Sequence, residues 1–131
     1  MAVLIDSNIW ASYFRTRTGA VRLRVDELTA AGLVRVIRLV VHEVTVGIRD
    51  VRASDGAKRR MERYGLTEMS ADDWQAAINA YRLAVDASGT HLPTTDVLLA
   101  AVAARSDWAV WSDDRHFDLL ERTSGIERSR L

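Results

Sequence analysis

The chain has 131 residues, 18 basic and 18 acidic side chains, a formal net charge of zero, one proline and no cysteine. Its length predicts one domain over residues 1–131 with a core of its own, and the lack of thiols excludes disulfides and thiolate metal sites. Zero net charge excludes a surface that attracts nucleic acid as a whole, and no apolar run approaches the roughly 20 residues that cross a bilayer, so a cytoplasmic protein without a membrane partner is expected.

AVLID at the start is a short apolar run ending in a carboxylate, the pattern of a buried parallel strand whose carboxyl end opens onto a site. Residues 7–14 then predict a helix that Ser7 or Asn8 can cap, with Asp6 as another candidate for the same task. Val21, Val25, Leu28 and Ala31 keep helical spacing up to Gly32, and VRVIRLV at 34–40 is rich in β-branched residues and predicts a strand. Helices are expected over 41–50 and 54–64, the second ended by Gly65, followed by a short extended LTEMS. Ser70 and Asp73 form a capping box in outline, opening an amphipathic helix over 71–87 that carries Trp74, Ala77, Ile78, Tyr81 and Val85. After Pro93, Thr94 or Thr95 can cap a helix to about Arg105. WAVWS predicts a strand, HFDLLERT a last helix, and IERSRL an edge strand. The alternation implies an α/β fold, a mostly parallel sheet with helices on both faces, whose ligands sit beyond the carboxyl ends of the strands.

Four acids stand in or beside apolar segments, where a carboxylate is expensive without a partner. They are Asp6, Glu43, Asp96 and Asp114. Each has an ordinary explanation: Asp6 as a helix cap, Asp96 in a first helical turn facing the dipole, Asp114 as turn chemistry after Asp113. Glu43, with Val40, Val41, Val44 and Val46 around it, is the hardest to explain that way. If the four converge, the chemistry they suit is that of a hard divalent cation with oxygen ligands and of phosphodiester hydrolysis. His42, His91 and His116 lack a helical ligand spacing and read as core or turn residues, with His42 and His116 able to touch the edge of the site. Seventeen of the 18 basic residues are arginine, Lys58 being the exception, and they gather around Arg15, Arg17, Arg22 and Arg24 and around Arg59, Arg60 and Arg63.

DSNIW at 6–10, the His42–Glu43 pair, TTDVLLAAVA at 94–103 and WSDDRHF at 111–117 resemble, in order and spacing, the motifs of the PIN-domain ribonucleases, in particular the VapC-type toxins of toxin–antitoxin pairs. The resemblance spans nearly the whole chain and implies a three-layer α/β/α sandwich. It implies an endoribonuclease dependent on Mg²⁺, or Mn²⁺, with Asp6, Glu43, Asp96 and Asp114 as catalytic and metal-holding residues and products carrying 5′ phosphate and 3′ hydroxyl. Ser7 and Ser112 match hydroxyl positions that support such a site. Asp113 stands where many relatives carry a basic or neutral residue, and Asp114 is the expected metal-facing member of the pair. Arg15, Arg17 and Arg115 are expected to grip an RNA backbone. The implied partners are an RNA substrate, a cognate antitoxin laid over the acidic rim and a second copy in a homodimer, with Trp10, Tyr13, Phe14 and Trp74 as candidate contact aromatics. The rival reading is a non-catalytic RNA- or protein-binding α/β module that keeps the acids for a structural ion. Dehalogenase-type phosphatases are excluded by Asn8, which stands where they need a second aspartate, and receiver domains by the position of the single lysine.

Overall fold

The computed structural model describes residues 1–130. The apolar runs form five short strands: β1 (Val3–Ile5), β2 (Val34–Ile37), β3 (Leu66–Thr67), β4 (Ala109–Trp111) and β5 (Glu127–Arg128). Between them run α1 (Ser7–Arg15), α2 (Ala20–Ala30), α3 (Arg38–Gly47), α4 (Val51–Glu62), α5 (Ala71–Ser88), α6 (Thr94–Ser106) and α7 (His116–Ser124). All strand pairs are parallel, in the order β3-β2-β1-β4-β5. β1 and β4 are buried at every position, as strands covered on both faces must be. Helices α1 to α4 pack among themselves, and α5, α6 and α7 form a second group. With the right-handed sense that parallel crossovers take as a rule, this strand order puts the two groups on opposite faces of the sheet, giving the α/β/α sandwich.

The chain leaves β1 toward β2 and β3 on one side and later returns to lay β4 on the other side of β1. That reversal makes a crevice beyond the carboxyl ends of β1 and β4, the place where open α/β sheets bind ligands. Ile5 pairs with Trp111, and the Asp6 N–H donates to the Trp111 carbonyl at 3.0 Å, so Asp6 and Ser112 emerge side by side.

Several boundaries differ from the sequence reading for physical reasons. The strand expected over 34–40 stops at Ile37, because Val40, Val41 and Val44 bury one face of α3 against its neighbours and packing overrides β propensity. Helix α1 is capped by Asp6, whose carboxylate accepts the Ser7 N–H, and not by Ser7 or Asn8, which already lie within the helix. Pro93 occupies the cap position of α6 and offers no side-chain bond, since Thr94 is already helical. Helix α4 begins at Val51, earlier than expected, because Asp50 caps it by accepting the Ala53 N–H at 2.8 Å. The capping box of Ser70 and Asp73 forms as expected. On α5 the buried line is Asp73, Ala77, Ala80 and Ala84, while Trp74 and Ile78 are exposed. Alanines let α5 lie close on α6, which is buried at every position from Asp96 to Ala103. The edge strand is confined to Glu127–Arg128, and Leu131 lies outside the described residues.

Candidate active site

Asp6 is 6 % exposed and its two oxygens are separately held. Oδ1 accepts the Ser7 N–H at 2.7 Å, and Oδ2 accepts the Ser112 hydroxyl at 2.7 Å. Ser112 is a junction. Its Oγ, having donated to Asp6, accepts Asn8 Nδ2 at 3.1 Å and the Asp114 N–H at 3.0 Å, which uses the one donor and two acceptor positions of a hydroxyl. Asn8 Oδ1 accepts the Asp113 N–H at 3.3 Å, so with the Asp6–Ser112 and Asn8–Ser112 bonds the segments after β1 and β4 are tied at three points. Behind the loop, the largely buried Arg128 side chain on β5 donates to the Ser112 carbonyl at 2.8 Å and to Asp118 at 2.7 Å. These bonds fix the Asp6 carboxylate and the loop that carries Asp114.

The four acids come from four elements; Asp96 and Asp114 converge with His116, and the charges of Asp6 and Asp96 reach Glu43. Asp96, in the first turn of α6, is buried, and its Oδ2 lies 2.9 Å from His116 Nδ1. Asp114 is half-buried; its Oδ1 accepts the His116 backbone N–H at 2.9 Å and lies 3.2 Å from His116 Nδ1. One ligand atom each from Asp96, Asp114 and His116 fall within 4.8 Å of one another. Asp113 is exposed. Glu43 is half-buried in the second turn of α3.

Electrostatics record the crowding. Burial pushes the Asp6 carboxyl above its ordinary value, and the charge of Asp114 adds to the rise against the opposing bonds from Ser112 and Ser7. Burial likewise raises Glu43, with the charges of Asp6 and Asp96 in the same direction and His42 against it. Asp96 is raised by burial first, then by Asp114 and Asp6, while its His116 bond pulls the other way. Glu43 and Asp96 thus each feel the charges of two other acids, and Asp6 that of Asp114. The donors are oxygens with one imidazole nitrogen and no thiol, a set that fits a hard or borderline divalent cation.

Among the other candidates, Ser7 meets Asp6 chiefly through its backbone N–H, its hydroxyl standing 3.4 Å from the same oxygen. Arg15, Arg17 and Arg115 are exposed and, among the described residues, make no ion pair. Arg15 also lines a cavity of about 420 Å³ that shares Ser7, Asn8 and Glu43 with the acidic site and is walled by Ala11, Phe14, Val44 and Ile48. Of the candidate contact aromatics, Trp10 and Tyr13 are core, 0 % and 1 % exposed, whereas Phe14 is half-buried and Trp74 exposed. His91 contacts the Tyr81 hydroxyl away from the acids. The sequence reading left His116 at the margin and gave Asn8 no part in the site. The available signal was that both sit one or two residues from an acid, beyond strands that turn out to be neighbours.

The PIN domain family model matches residues 3–122, and the chain belongs to that family. Within it, the chain is 28 % identical to ribonuclease VapC11 of Mycobacterium tuberculosis over 132 aligned positions, covering 95 % of this chain and 96 % of the relative. The VapC ribonuclease Mb1587 of Mycobacterium bovis matches equally, at 28 % and the same coverage. Among solved structures, the VapBC2 complex of Rickettsia felis, bound to a promoter DNA fragment, superposes with a TM-score of 0.81 at 12 % identity, covering 100 % of this chain and 99 % of that one. FitAcB of Neisseria gonorrhoeae gives 0.73 at 14 % identity over 98 % and 96 %. At those identities the likeness concerns the fold.

Proposed function

We propose that the protein is a divalent-metal-dependent endoribonuclease, the toxin of a toxin–antitoxin pair, using Mg²⁺ or Mn²⁺. The observation that supports the reading is the cluster of Asp96, Asp114 and His116 beyond the strand ends, with Asp6, Glu43 and Asp96 all raised in carboxyl pKa by burial and by one another's or Asp114's charge. The family membership and the VapC ribonucleases among the relatives support it.

The four carboxylates would hold the ion. When bound, it supplies positive charge for the scissile phosphate and the leaving 3′ oxygen, and it lowers the pKa of water. The chain's own residues do the rest. Ser7 and Ser112 keep the Asp6 oxygens in one orientation, so no reorganisation is needed when charge develops nearby. Glu43, whose carboxyl is raised by burial and by the charges of Asp6 and Asp96, is the carboxylate suited to accept a proton from the attacking water. Arg15, Arg17 and Arg115 hold the RNA backbone as forks for phosphate oxygens, which makes binding fall with salt. The apolar cavity of Ala11, Phe14, Val44 and Ile48 beside the acids is the place for a segment of the antitoxin, which would then cover the route to Glu43. A homodimer and a cytoplasmic setting belong to the same proposal; among the described residues no helix is long and apolar enough to cross a membrane.

The test is cleavage of a defined RNA by the purified chain. Cleavage is expected with Mn²⁺ or Mg²⁺, none in EDTA, and 5′ phosphate on the products. A chain that binds manganese and RNA but leaves the RNA intact is instead the non-catalytic module.

A further inference from the structure

His116 opens α7 and carries an imidazole nitrogen in among the acids. Its Nδ1 stands 2.9 Å from Asp96 Oδ2 and 3.2 Å from Asp114 Oδ1, and one ligand atom from each of the three residues lies within 4.8 Å of the others. The ring is held there by more than its own contacts. Asp114 Oδ1 also accepts the His116 backbone N–H at 2.9 Å, so one carboxylate fixes both the helix start and the side chain that leaves it. Asp114 is fixed in turn by its N–H bond to Ser112.

Neighbouring ligands of an octahedral ion with bonds of about 2.1 Å lie about 3.0 Å apart. The two nitrogen-to-oxygen separations at His116 match that edge length. Two edges of a shared ligand set are therefore already in place, with the ring hydrogen moved to the other nitrogen of a half-exposed imidazole and the Asp96 and Asp114 oxygens free to close the third around the ion. A nitrogen donor favours first-row transition ions, whereas magnesium keeps to oxygen ligands and water.

We propose that His116 is a nitrogen ligand of the catalytic cation, shared with Asp96 and Asp114, and that it biases the site toward manganese over magnesium. This rests on the metal-dependent reading above and adds to it a ligand and an ion preference. The rival role is a hydrogen bond that only steers Asp96, which places no nitrogen on the ion.

The experiment is pulsed electron paramagnetic resonance on the full chain loaded with Mn²⁺, with calorimetric titration of Mn²⁺ and Mg²⁺ alongside. Expected is a hyperfine coupling to an imidazole nitrogen in the wild type, kept in His42→Asn and lost in His116→Asn. Asparagine keeps an amide N–H that can donate to the Asp96 carboxylate and has no imidazole, so His116→Asn separates steering from nitrogen ligation. Its affinity for Mn²⁺ should fall by at least about ten-fold, with a smaller change for Mg²⁺. Bound Mn²⁺ without nitrogen coupling, or coupling that survives in His116→Asn, overturns the assignment and leaves the ribonuclease reading standing. If His116→Asn does not fold, the wild-type spectrum and the loss or retention of coupling in His42→Asn decide the ligand. A wild type that takes up no Mn²⁺ by calorimetry instead overturns the metal reading, and the ligand with it.

Discussion

Replacing Asp96 by asparagine should make the metal-free protein more stable, although it alters a buried residue in the core-facing helix. Asp96 and Asp114 bring oxygens within 4.8 Å. Two full charges at that separation repel by about 3.5 kcal/mol at an effective dielectric of about 20. The Asp114 side chain is 36 % exposed and His116 sits between the two, so solvent and imidazole remove much of this, leaving about 1–2 kcal/mol. The variant loses a favourable charge in the first turn of α6, worth about 0.3–1 kcal/mol. The balance, once relief from Asp6 and Glu43 is included, is a gain of about 1 kcal/mol, or roughly 4 °C in melting temperature for a chain of this size. The assay is thermal unfolding at neutral pH in EDTA, Asp96→Asn beside wild type. With Mn²⁺ the order should invert, because the ion then neutralises the wild-type acids and the variant binds it weakly. A variant that melts several degrees below wild type in EDTA refutes the reasoning, since the site would then draw net stability from its ionised acids.

Mg²⁺ and Mn²⁺ should each raise the wild-type melting temperature by mass action and EDTA should reverse the shift; unchanged melting in both ions contradicts a cation site. Because Asp6, Glu43 and Asp96 all have raised folded pKa values, the stability they contribute is present below the ordinary carboxylate range of about 4 and is lost as pH climbs through those raised values, so metal-free melting scans from acid to neutral pH should show this loss and Asp96→Asn should show less of it. Asp73 behaves in the opposite sense: the Arg105 bidentate bond, at 2.7 and 3.0 Å, holds its carboxyl below the ordinary range, so its contribution is present above that range and lost as pH falls through the lowered value. Arg105→Ala should cost about 1–2 kcal/mol by chemical denaturation, limited by the 43 % exposure of the arginine, and leave metal affinity unchanged. Arg128→Ala, which frees the Ser112 carbonyl and Asp118, should lower both stability and RNA cleavage, with Arg128→Lys restoring part of each in a single-turnover assay.

The parts of this protein legible from its sequence are those set by local chemistry. AVLID, the Ser70/Asp73 box and the apolar length of residues 97–103 each carry their structural consequence within a few residues. The β2 to α3 boundary was not legible, because RLVV suits a strand as well as a helix and only tertiary packing chooses. Exposed Trp74 and Ile78 show the same limit from the other side: periodicity finds an apolar face, but close approach of α6 selects the alanines. At the site, Asp6 and Asp114 could be placed by their positions after strands. The Ser112 junction and the ring of His116 depend on β4 lying beside β1, a pairing across more than 100 residues that no local pattern encodes.

The central claim, that four separated acids form one cation-dependent centre for cutting RNA, is tested most directly by mapping RNA 5′ ends in cells expressing the wild type or Asp6→Asn. Asparagine can still cap α1, so the fold should persist while the charge is lost. The expected result is new 5′-phosphorylated ends at defined positions with the wild type and none with a folded Asp6→Asn. Identical ends from both proteins, at equal expression, would contradict the account.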